Sequence, residues 1–412
     1  MPRAKEQKPK SKGAPPSVVP VLQNFLKTYQ KHCIQSQTSL CPTIQRDLKS
    51  SIDREQSLRK FTLTRAGDST TSSRPVSLEP LLMAILDERY TQGKEICIWG
   101  LQLTNPEIAR LALFLESKGH TICPVTTLEI MNCEMDLWSL GRLGKALQFS
   151  SLLSLVLDYS KFGDEELESI FSGLEKNQRL QGLSLRYCGL GPQSGPRLGS
   201  VISQSAICEL HLDGNYLQCS GTLALLRPIA EYADIQGKEQ PTSASPHAGN
   251  PPLLPQACRE RSSTLSQIVK SSEAVTVKRT SQKKRGGRGI RKKGKSLMEA
   301  GPWVSTLHLA DNSIDGTGKE AEQLPELTRT LTCLIKHSTH LREIDLGNNV
   351  LGEMTAADIL EALRARKTGK LPPLKITVTP RISSDTFTSI WKHSKKSNRT
   401  SKKTKKVVIT RR

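Results

Sequence analysis

The sequence predicts an α/β solenoid, with short parallel strands lining a concave face and helices packed behind them on a convex face. Three observations lead there. The first is a phrase repeated in register: Val125, Leu128, Ile130, Cys133; Leu152, Leu155, Leu157, Ser160; Leu180, Leu183, Leu185, Cys188; Ile207, Leu210, Leu212, Asn215. Its second members fall 27, 28 and 27 residues apart. The second is a change of periodicity between copies, from the alternation of a strand to the one-faced stripe of a helix. The third is that each strand-like stretch is too short to bury its apolar face alone, so every turn must stack on the next.

In chain order, residues 1–17 are charged and broken by proline and read as a basic tail, with no apolar run long enough for a signal peptide or membrane span. Residues 18–93 read as a helical cap over the open end of the stack. One stripe there comprises Val18, Val21, Leu22, Phe25, Leu26 and Tyr29, and another Leu78, Leu81, Leu82, Ile85 and Leu86. Leu58, Phe61 and Leu63 make a weak opening strand.

The first block of repeats spans 94–235 and begins with Ile96, Ile98, Leu101 and Leu103 around Trp99 and Gly100. Its return segments look helical. Pro106 opens one that Gly119 follows, Leu167, Ile170, Phe171 and Leu174 stripe another, and Leu223, Leu226, Ile229 and Ala230 a third, over 221–234. An insertion at 236–300 then separates Leu210 from Leu307 by 97 residues. It is rich in proline and serine, then in lysine, arginine and glycine, and reads as disordered, because it holds too little apolar surface to offset the entropy of ordering it.

The second block, 301–380, restarts with Val304, Leu307, Leu309, Asn312 and Ile314 and continues with Leu341, Ile344, Leu346, Asn349 and Leu351; Leu371, Leu374 and Ile376 resemble a closing strand. Residues 381–412 are a second basic tail. Seven turns are expected, with room for one more at either end.

Within a turn, Leu155 and Leu157 should point to the core, and Val156 and Asp158 to the concave face. The position held by Asn215, Asn312 and Asn349 turns the chain out of the strand with a polar group inward, where it can bond the backbone of neighbouring turns. Cys133, Ser160 and Cys188 hold that position elsewhere, so these cysteines read as structural and not as a metal cluster. The ten cysteines have irregular spacings, which points to reduced thiols in an intracellular compartment, and Cys33 and Cys41 form no zinc pair.

No nucleotide-binding loop, nucleophile elbow, metalloprotease helix or paired-cysteine motif appears, so no catalytic residue, cofactor or small-molecule ligand is expected. His211 and His308 fall in one concave column and lack a defined third metal ligand; they read as surface histidines. The concave columns carry the better candidates. One runs Trp99, Met131, Asp158, Arg186, Asp213, Ala310 and Gly347; the next runs Gly100, Asn132, Tyr159, Tyr187, Gly214, Asp311 and Asn348. Tyr159 and Tyr187 should stand side by side among Asp158, Arg186 and Asp213, a composition enriched in protein-binding hot spots. The candidate partner-binding set is therefore Trp99, Met131, Asp158, Tyr159, Arg186, Tyr187, His211, Asp213, His308 and Asp311.

Net charge is +21, yet Lys278 to Lys295 and Lys392 to Arg412 each supply ten positive charges and no acid, and residues 1–12 add a surplus of four. The remainder is close to neutral at about −3, so a broad basic face for duplex nucleic acid is not expected. Three readings of the segment around Lys283, Lys284, Arg285, Arg288, Arg291, Lys292 and Lys293 stay open: solvated low-complexity sequence, a nuclear-import or RNA-binding patch, or a contact to another polyanion such as an acidic protein tail.

A repeat of about 28 residues with a full helix in each turn resembles the ribonuclease-inhibitor type of leucine-rich repeat, which implies a right-handed horseshoe. The array split by a basic insertion, restarting at Trp303 to Ile314 (WVSTLHLADNSI) and followed by His340 to Gly352 (HLREIDLGNNVLG), with Lys94 to Leu103 (KEICIWGLQL) upstream, resembles the leucine-rich-repeat-containing protein seventy-one group. That resemblance implies a non-enzymatic scaffold or adaptor for protein partners in the cytoplasm and the cilium or axoneme, without membrane contact. The alternative is a nuclear or RNA-associated adaptor acting through the basic segments.

Overall fold

The structure, a computed structural model, describes residues 18–65, 74–117, 123–175, 177–239, 301–315, 320–379 and 382–395. Its described strands are β1 (Lys60–Thr64), β2 (Glu95–Trp99), β3 (Thr127–Met131), β4 (Ser154–Val156), β5 (Gly182–Ser184), β6 (Glu209–His211), β7 (Thr306–His308), β8 (Glu343–Leu346) and β9 (Lys375–Val378). They pair in parallel and in chain order as one nine-stranded sheet. The anchors meet as the repeat spacing requires, with Leu128 opposite Leu155, then Leu183, Leu210, Leu307, Ile344 and Ile376. β6 and β7 are direct neighbours despite the insertion between them. Residues 240–300, with Lys283, Lys284, Arg285, Arg288, Arg291, Lys292 and Lys293, lie outside the described residues, as do 1–17 and 396–412.

Behind the sheet run α4 (Asn105–Glu116), α5 (Leu137–Leu147), α6 (Asp164–Glu175), α7 (Ser194–Gln204), α8 (Gln218–Glu239), α9 (Leu324–His337) and α10 (Glu353–Thr368). Local chemistry starts several of them. Asp136 accepts the Ser139 N–H at the head of α5, and Thr104 with Glu107 forms a capping box at the head of α4. The buried Glu107 carboxylate also accepts the Leu78 N–H and the Ser77 hydroxyl, so it joins two successive turns. The α5–α6 approach is set by glycine: a Cβ on Gly144 would lie 2.1 Å from the Ser169 carbonyl, and one on Gly173 would lie 2.0 Å from the Gly144 carbonyl.

The expected opening and closing strands are both present: β1 pairs with β2 along its whole length and β9 with β8, so the stack has the further turn allowed for at each end. Four features differ from the sequence reading. The segment 381–412, read as a basic tail, contains a helix at Ser384–Lys395. The N-terminal segment holds three helices, α1 (Val18–Gln35), α2 (Pro42–Asp53) and α3 (Glu79–Asp87). α2 buries only Ile44 and Leu48, one helical turn apart, too sparse a stripe to announce itself. In α1 the stripe is Leu22, Phe25, Tyr29 and Cys33, whereas Val21 faces solvent. Finally, α8 runs from Gln218 to Glu239, beyond the segment its stripe marks, with Pro228 inside it.

Both ends of the core are covered, as an apolar solenoid interior demands. Phe25 of α1 stacks on Phe61 of β1 at 5.3 Å. At the other end α11 (Ser384–Lys395) packs on β9 and α10. There Arg366, 2% exposed, donates to the carbonyls of Ile335, Ser338, Leu341 and Pro372 with no carboxylate partner, and burial pushes its guanidinium down to about 10.

The polar ladder binds turn to turn. Asn215 donates to the carbonyls of Leu185 and Leu212 and accepts the N–H groups of Cys188 and Leu190. Asn349 does the same one block later, donating to Leu309 and Leu346 and accepting from Asn312 and Ile314. Asn312 donates to Leu212 and Ala310. Cys188 and Cys133 reproduce only the donor half, each thiol reaching a carbonyl of its own turn and one of the preceding turn. The Ser160 hydroxyl is buried and meets no partner.

Asn312→Ala is therefore expected to destabilise the fold by about 2 to 4 kcal/mol, through the buried backbone groups left unpaired. Ser160→Asn, which restores a full ladder rung, is expected to stabilise it by about 1 kcal/mol. Urea unfolding of the two variants checks both signs; a stabilising Asn312→Ala would overturn the account.

Candidate protein-binding face

The seven strands from β2 to β8 each leave the sheet through one residue in the left-handed region, and this residue immediately precedes the ladder position. Those residues are Gly100, Asn132, Tyr159, Tyr187, Gly214, Asp311 and Asn348, with φ between 50° and 70°. Glycine, asparagine and aspartate tolerate that conformation, whereas a bulky side chain there costs on the order of 1 to 2 kcal/mol. Tyr159 at φ 60° and Tyr187 at φ 55° are thus the two strained members of the column.

Their rings are parallel, with centroids 5.0 Å apart and planes within 5°. Trp99 extends the strip, its ring centroid 6.0 Å from that of Tyr159. All three stay open to solvent, at 43, 46 and 45% for Trp99, Tyr159 and Tyr187. The absence of a side chain at Gly214 makes room for them, since a Cβ there would fall 2.1 Å from the Tyr187 ring.

Asp158 has a different part from the one its column suggested. Its side chain is buried, and Oδ1 accepts the Ser184 hydroxyl at 2.6 Å and the Arg186 N–H at 2.9 Å. It buttresses the next turn and offers no surface to a partner; a carboxylate with two donors at hand is more stable inside the floor than displayed on it. Met131 is half-buried on the floor, and Asp311 is exposed at the exit of β7.

Arg186, His211, Asp213 and His308 come together as one cluster. The Arg186 Nε donates to Asp213 at 2.8 Å and a terminal guanidinium nitrogen donates to His211 Nδ1 at 2.9 Å. His211 Nδ1 therefore acts as acceptor, and His308 Nδ1, 3.0 Å away across an edge-on ring contact, must be the donor in that pair. Burial, with Arg186 and His308 beside it, pushes the His211 imidazole down to about 4. Asp213 raises the His308 imidazole. Burial alone would lift the Asp213 carboxyl, but the His308 imidazole, its Nδ1 3.8 Å away, and the Arg186 hydrogen bond hold it below the ordinary range.

With Asp213, the two histidines do gain the third metal-ligand type that spacing alone did not assign. The Arg186 guanidinium, however, already bonds both His211 and Asp213, so a fixed internal cation stands where a metal ion would have to enter.

The floor around the strip is acidic. Glu95, Glu129, Glu209, Glu343 and Asp345 occupy concave strand positions beside Asp213, facing Lys60, Arg186 and Lys375 among the described residues. Lys60 is bound to Glu129 and Lys375 to Glu343. The alternation of the strands already placed these carboxylates on the concave face; only their surplus over the cations escaped the sequence reading.

No family model matches the chain. Among curated proteins, the ribonuclease inhibitor of Sus scrofa is 25% identical over 227 residues, covering 54% of this chain and 45% of that protein. The ribonuclease inhibitor of Mus musculus is 27% identical over 256 residues, covering 61% and 52%. NACHT, LRR and PYD domains-containing protein 5 of Mus musculus is 23% identical over 260 residues, 62% of this chain and 20% of that one. The chain thus spans about half the length of the ribonuclease inhibitors it matches. An internalin from Listeria monocytogenes covers 92% of the chain and 96% of its own, at 14% identity and a TM-score of 0.26.

Two predictions follow from the site's geometry. Tyr159→Asn and Tyr187→Asn should each change stability by less than about 1 kcal/mol, because relief of the left-handed backbone offsets the lost ring stacking of about 0.5 to 1.5 kcal/mol. A loss above about 3 kcal/mol in urea unfolding would instead make the rings part of the core.

The histidine pair sets a pH dependence with opposite limbs. His211, with a folded value near 4, takes up a proton more readily when unfolded, so its contribution is lost as pH falls from its ordinary value of about 6.5 toward 4. His308 is raised, so its contribution is present below about 6.5 and lost as pH rises through its folded value. Between about pH 7 and pH 5, His211→Asn should lose less stability than the wild type, by about 1 kcal/mol after allowance for solvent screening. Equal losses in the two proteins would contradict this account.

In fold, the chain is a leucine-rich-repeat α/β solenoid with homologues of the ribonuclease-inhibitor type at low identity.

Proposed function

We propose that the chain is a non-enzymatic scaffold that holds a partner protein on its concave face, with Trp99, Tyr159 and Tyr187 as the contact strip. The observation that carries this reading is the placement of two exposed tyrosines on left-handed backbone, where the other turns use glycine, asparagine or aspartate. Backbone strain of this kind persists where it has a use, and stacked rings left in solvent gain little for the fold. Rigid aromatics lose little entropy on contact, which suits them to a hot spot.

Charge narrows the partner's chemistry. The floor's surplus of carboxylates beside aromatic faces fits an extended segment rich in lysine and arginine, held by charge complementarity and by cations over the rings. The fold supports this mode of use, since leucine-rich-repeat solenoids are protein-binding folds, and the two ribonuclease inhibitors among the relatives are named for acting on a protein.

The setting we propose is the cytoplasm and the cilium or axoneme. It rests on the resemblance of the split array, and of its restart at Trp303 to Ile314, to the leucine-rich-repeat-containing protein seventy-one group. In that setting the basic runs would contact acidic protein tails. The second reading, a nuclear or RNA-associated adaptor, draws on the same runs, above all Lys278 to Lys295.

Proximity labelling in a ciliated cell tests both parts. The wild type should label detergent-resistant axonemal proteins, and the Tyr159→Asn/Tyr187→Asn double variant should lose a defined subset of them at unchanged expression. An identical partner list for the two proteins would sink the contact strip. Nuclear signal that vanishes on deleting residues 278–295 would replace the ciliary setting with the nuclear one.

A further inference from the structure

The convex side carries a second cluster of metal-ligating groups, and it differs from the concave one in that the cation bonded to it, Lys238 on Asp234, is an exposed lysine and not a guanidinium bridging two of the ligands. Asp234 lies in the last turns of α8, where the chain departs into the insertion. Cys333 and His337 stand one helical turn apart on α9, hence on one face of it. α8 and α9 pack on each other. A carboxylate oxygen of Asp234, the Cys333 thiol and a ring nitrogen of His337 all lie within 4.8 Å of one another.

Two independent observations set this trio apart from an accidental surface group. Of the cysteines in the described residues, Cys33, Cys41, Cys97, Cys123, Cys133, Cys188, Cys208 and Cys219 are buried, and Cys333 is the one with solvent access. Opposite it the α8 backbone is cut away: Gly237 is exposed, and a Cβ there would lie 2.8 Å from His337 Nδ1. Glycine is a poor helix former, at about 1 kcal/mol against alanine. At this position it gives the imidazole a seat against α8.

We propose that Asp234, Cys333 and His337 bind a divalent transition-metal ion of the zinc class, which pins the end of α8 to α9 at the root of the insertion. Thiolate, imidazole and carboxylate together suit a borderline ion and disfavour magnesium or calcium. Metal–sulfur and metal–nitrogen bonds of about 2.3 and 2.1 Å place ligand atoms around a tetrahedral ion roughly 3.3 to 3.7 Å apart. From separations within 4.8 Å the three atoms need to close by at most about 1 to 1.5 Å, which half-buried side chains achieve by small rotations. As the metal–sulfur bond forms, the thiol proton passes to solvent, and a water completes the fourth position. Lys238, itself 74% exposed, pairs with Asp234 and would swing away into solvent as the ion binds.

The test is cobalt(II) titration of the full chain under reducing conditions. One equivalent should produce thiolate-to-cobalt charge-transfer absorption with the visible bands of a tetrahedral ion. Cys333→Ser should abolish the charge-transfer band. Asp234→Ala and His337→Ala should each weaken binding by about tenfold or more, as loss of one of few ligands requires. Cys258→Ser, in the insertion, and the His211→Ala/His308→Ala double variant should retain the full signal, with circular dichroism confirming that every variant folds.

No absorption in the wild type would overturn the site. So would a charge-transfer band that survives Cys333→Ser, or one lost in Cys258→Ser. As a second readout, zinc should slow alkylation of Cys333 in the native protein at least about tenfold, and an unchanged rate would likewise count against it.

Discussion

Every turn of this solenoid has to bend the chain out of the sheet inside the protein, and the backbone groups exposed by that bend must be paired there. One constraint therefore fixes two adjacent positions. The first takes left-handed backbone to make the bend, and the second projects a polar side chain inward to bond the turn on either side. Turns that end Gly214–Asn215, Asp311–Asn312 and Asn348–Asn349 meet both demands with residues suited to them. The turns that end Tyr159–Ser160 and Tyr187–Cys188 meet neither fully: each has a bulky ring on left-handed backbone and a ladder residue that lacks the acceptor half. The turn ending Asn132–Cys133 shares the ladder departure alone, and the two departures coincide on the turns that carry the stacked tyrosines. The local stability given up there coincides with the surface best formed for a partner.

The same constraint explains why the insertion is tolerated. Pairing between β6 and β7 and the rung from Asn312 to the Leu212 carbonyl span the break directly. Trp303 adds an apolar joint, edge-on to Tyr232 of α8 at 6.1 Å and to His340 at 4.9 Å. The break falls between the end of α8 and the start of β7, a place where the entropy of closing a connection grows only slowly with its length. The stack continues as though the insertion were absent, and its two blocks share one concave face.

Most of the fold was legible because the repeat constrains one apolar residue per position, and a register error would turn every anchor outward. What stayed hidden had no periodic signature. α2 buries two aliphatic residues, Arg366 serves four carbonyls from a position that reads like any surface arginine, and Glu107 caps a helix other than its own. At the site, alternation placed Tyr159, Tyr187 and Arg186 on the concave side and predicted their proximity. Alternation alone could not tell that Asp158, in the same column, would be drawn inward by Ser184 and the Arg186 N–H. Nor could it tell that the left-handed column would coincide with the aromatic one, since that depends on the bend and not on the strand.

The electrostatics of the face follow from how its cations are used. Among the described residues of the floor, Lys60 is held by Glu129, Lys375 by Glu343, and Arg186 by Asp213 and the hydrogen bond to His211. None of the three is free to meet an incoming anion without breaking a pair. Glu209 has Gly182 and Thr306 beside it and no cation in register, whereas Glu95 faces Lys60, which is already bonded to Glu129; the two carboxylates lie on strands to either side of the tyrosine stack. An acidic segment arriving here would meet carboxylates without compensation, at like-charge separations that disfavour docking, whereas a basic one would find both charge and ring faces open to it. Under the proposed function, the floor would turn away acidic segments by charge before its rings selected among those that remain.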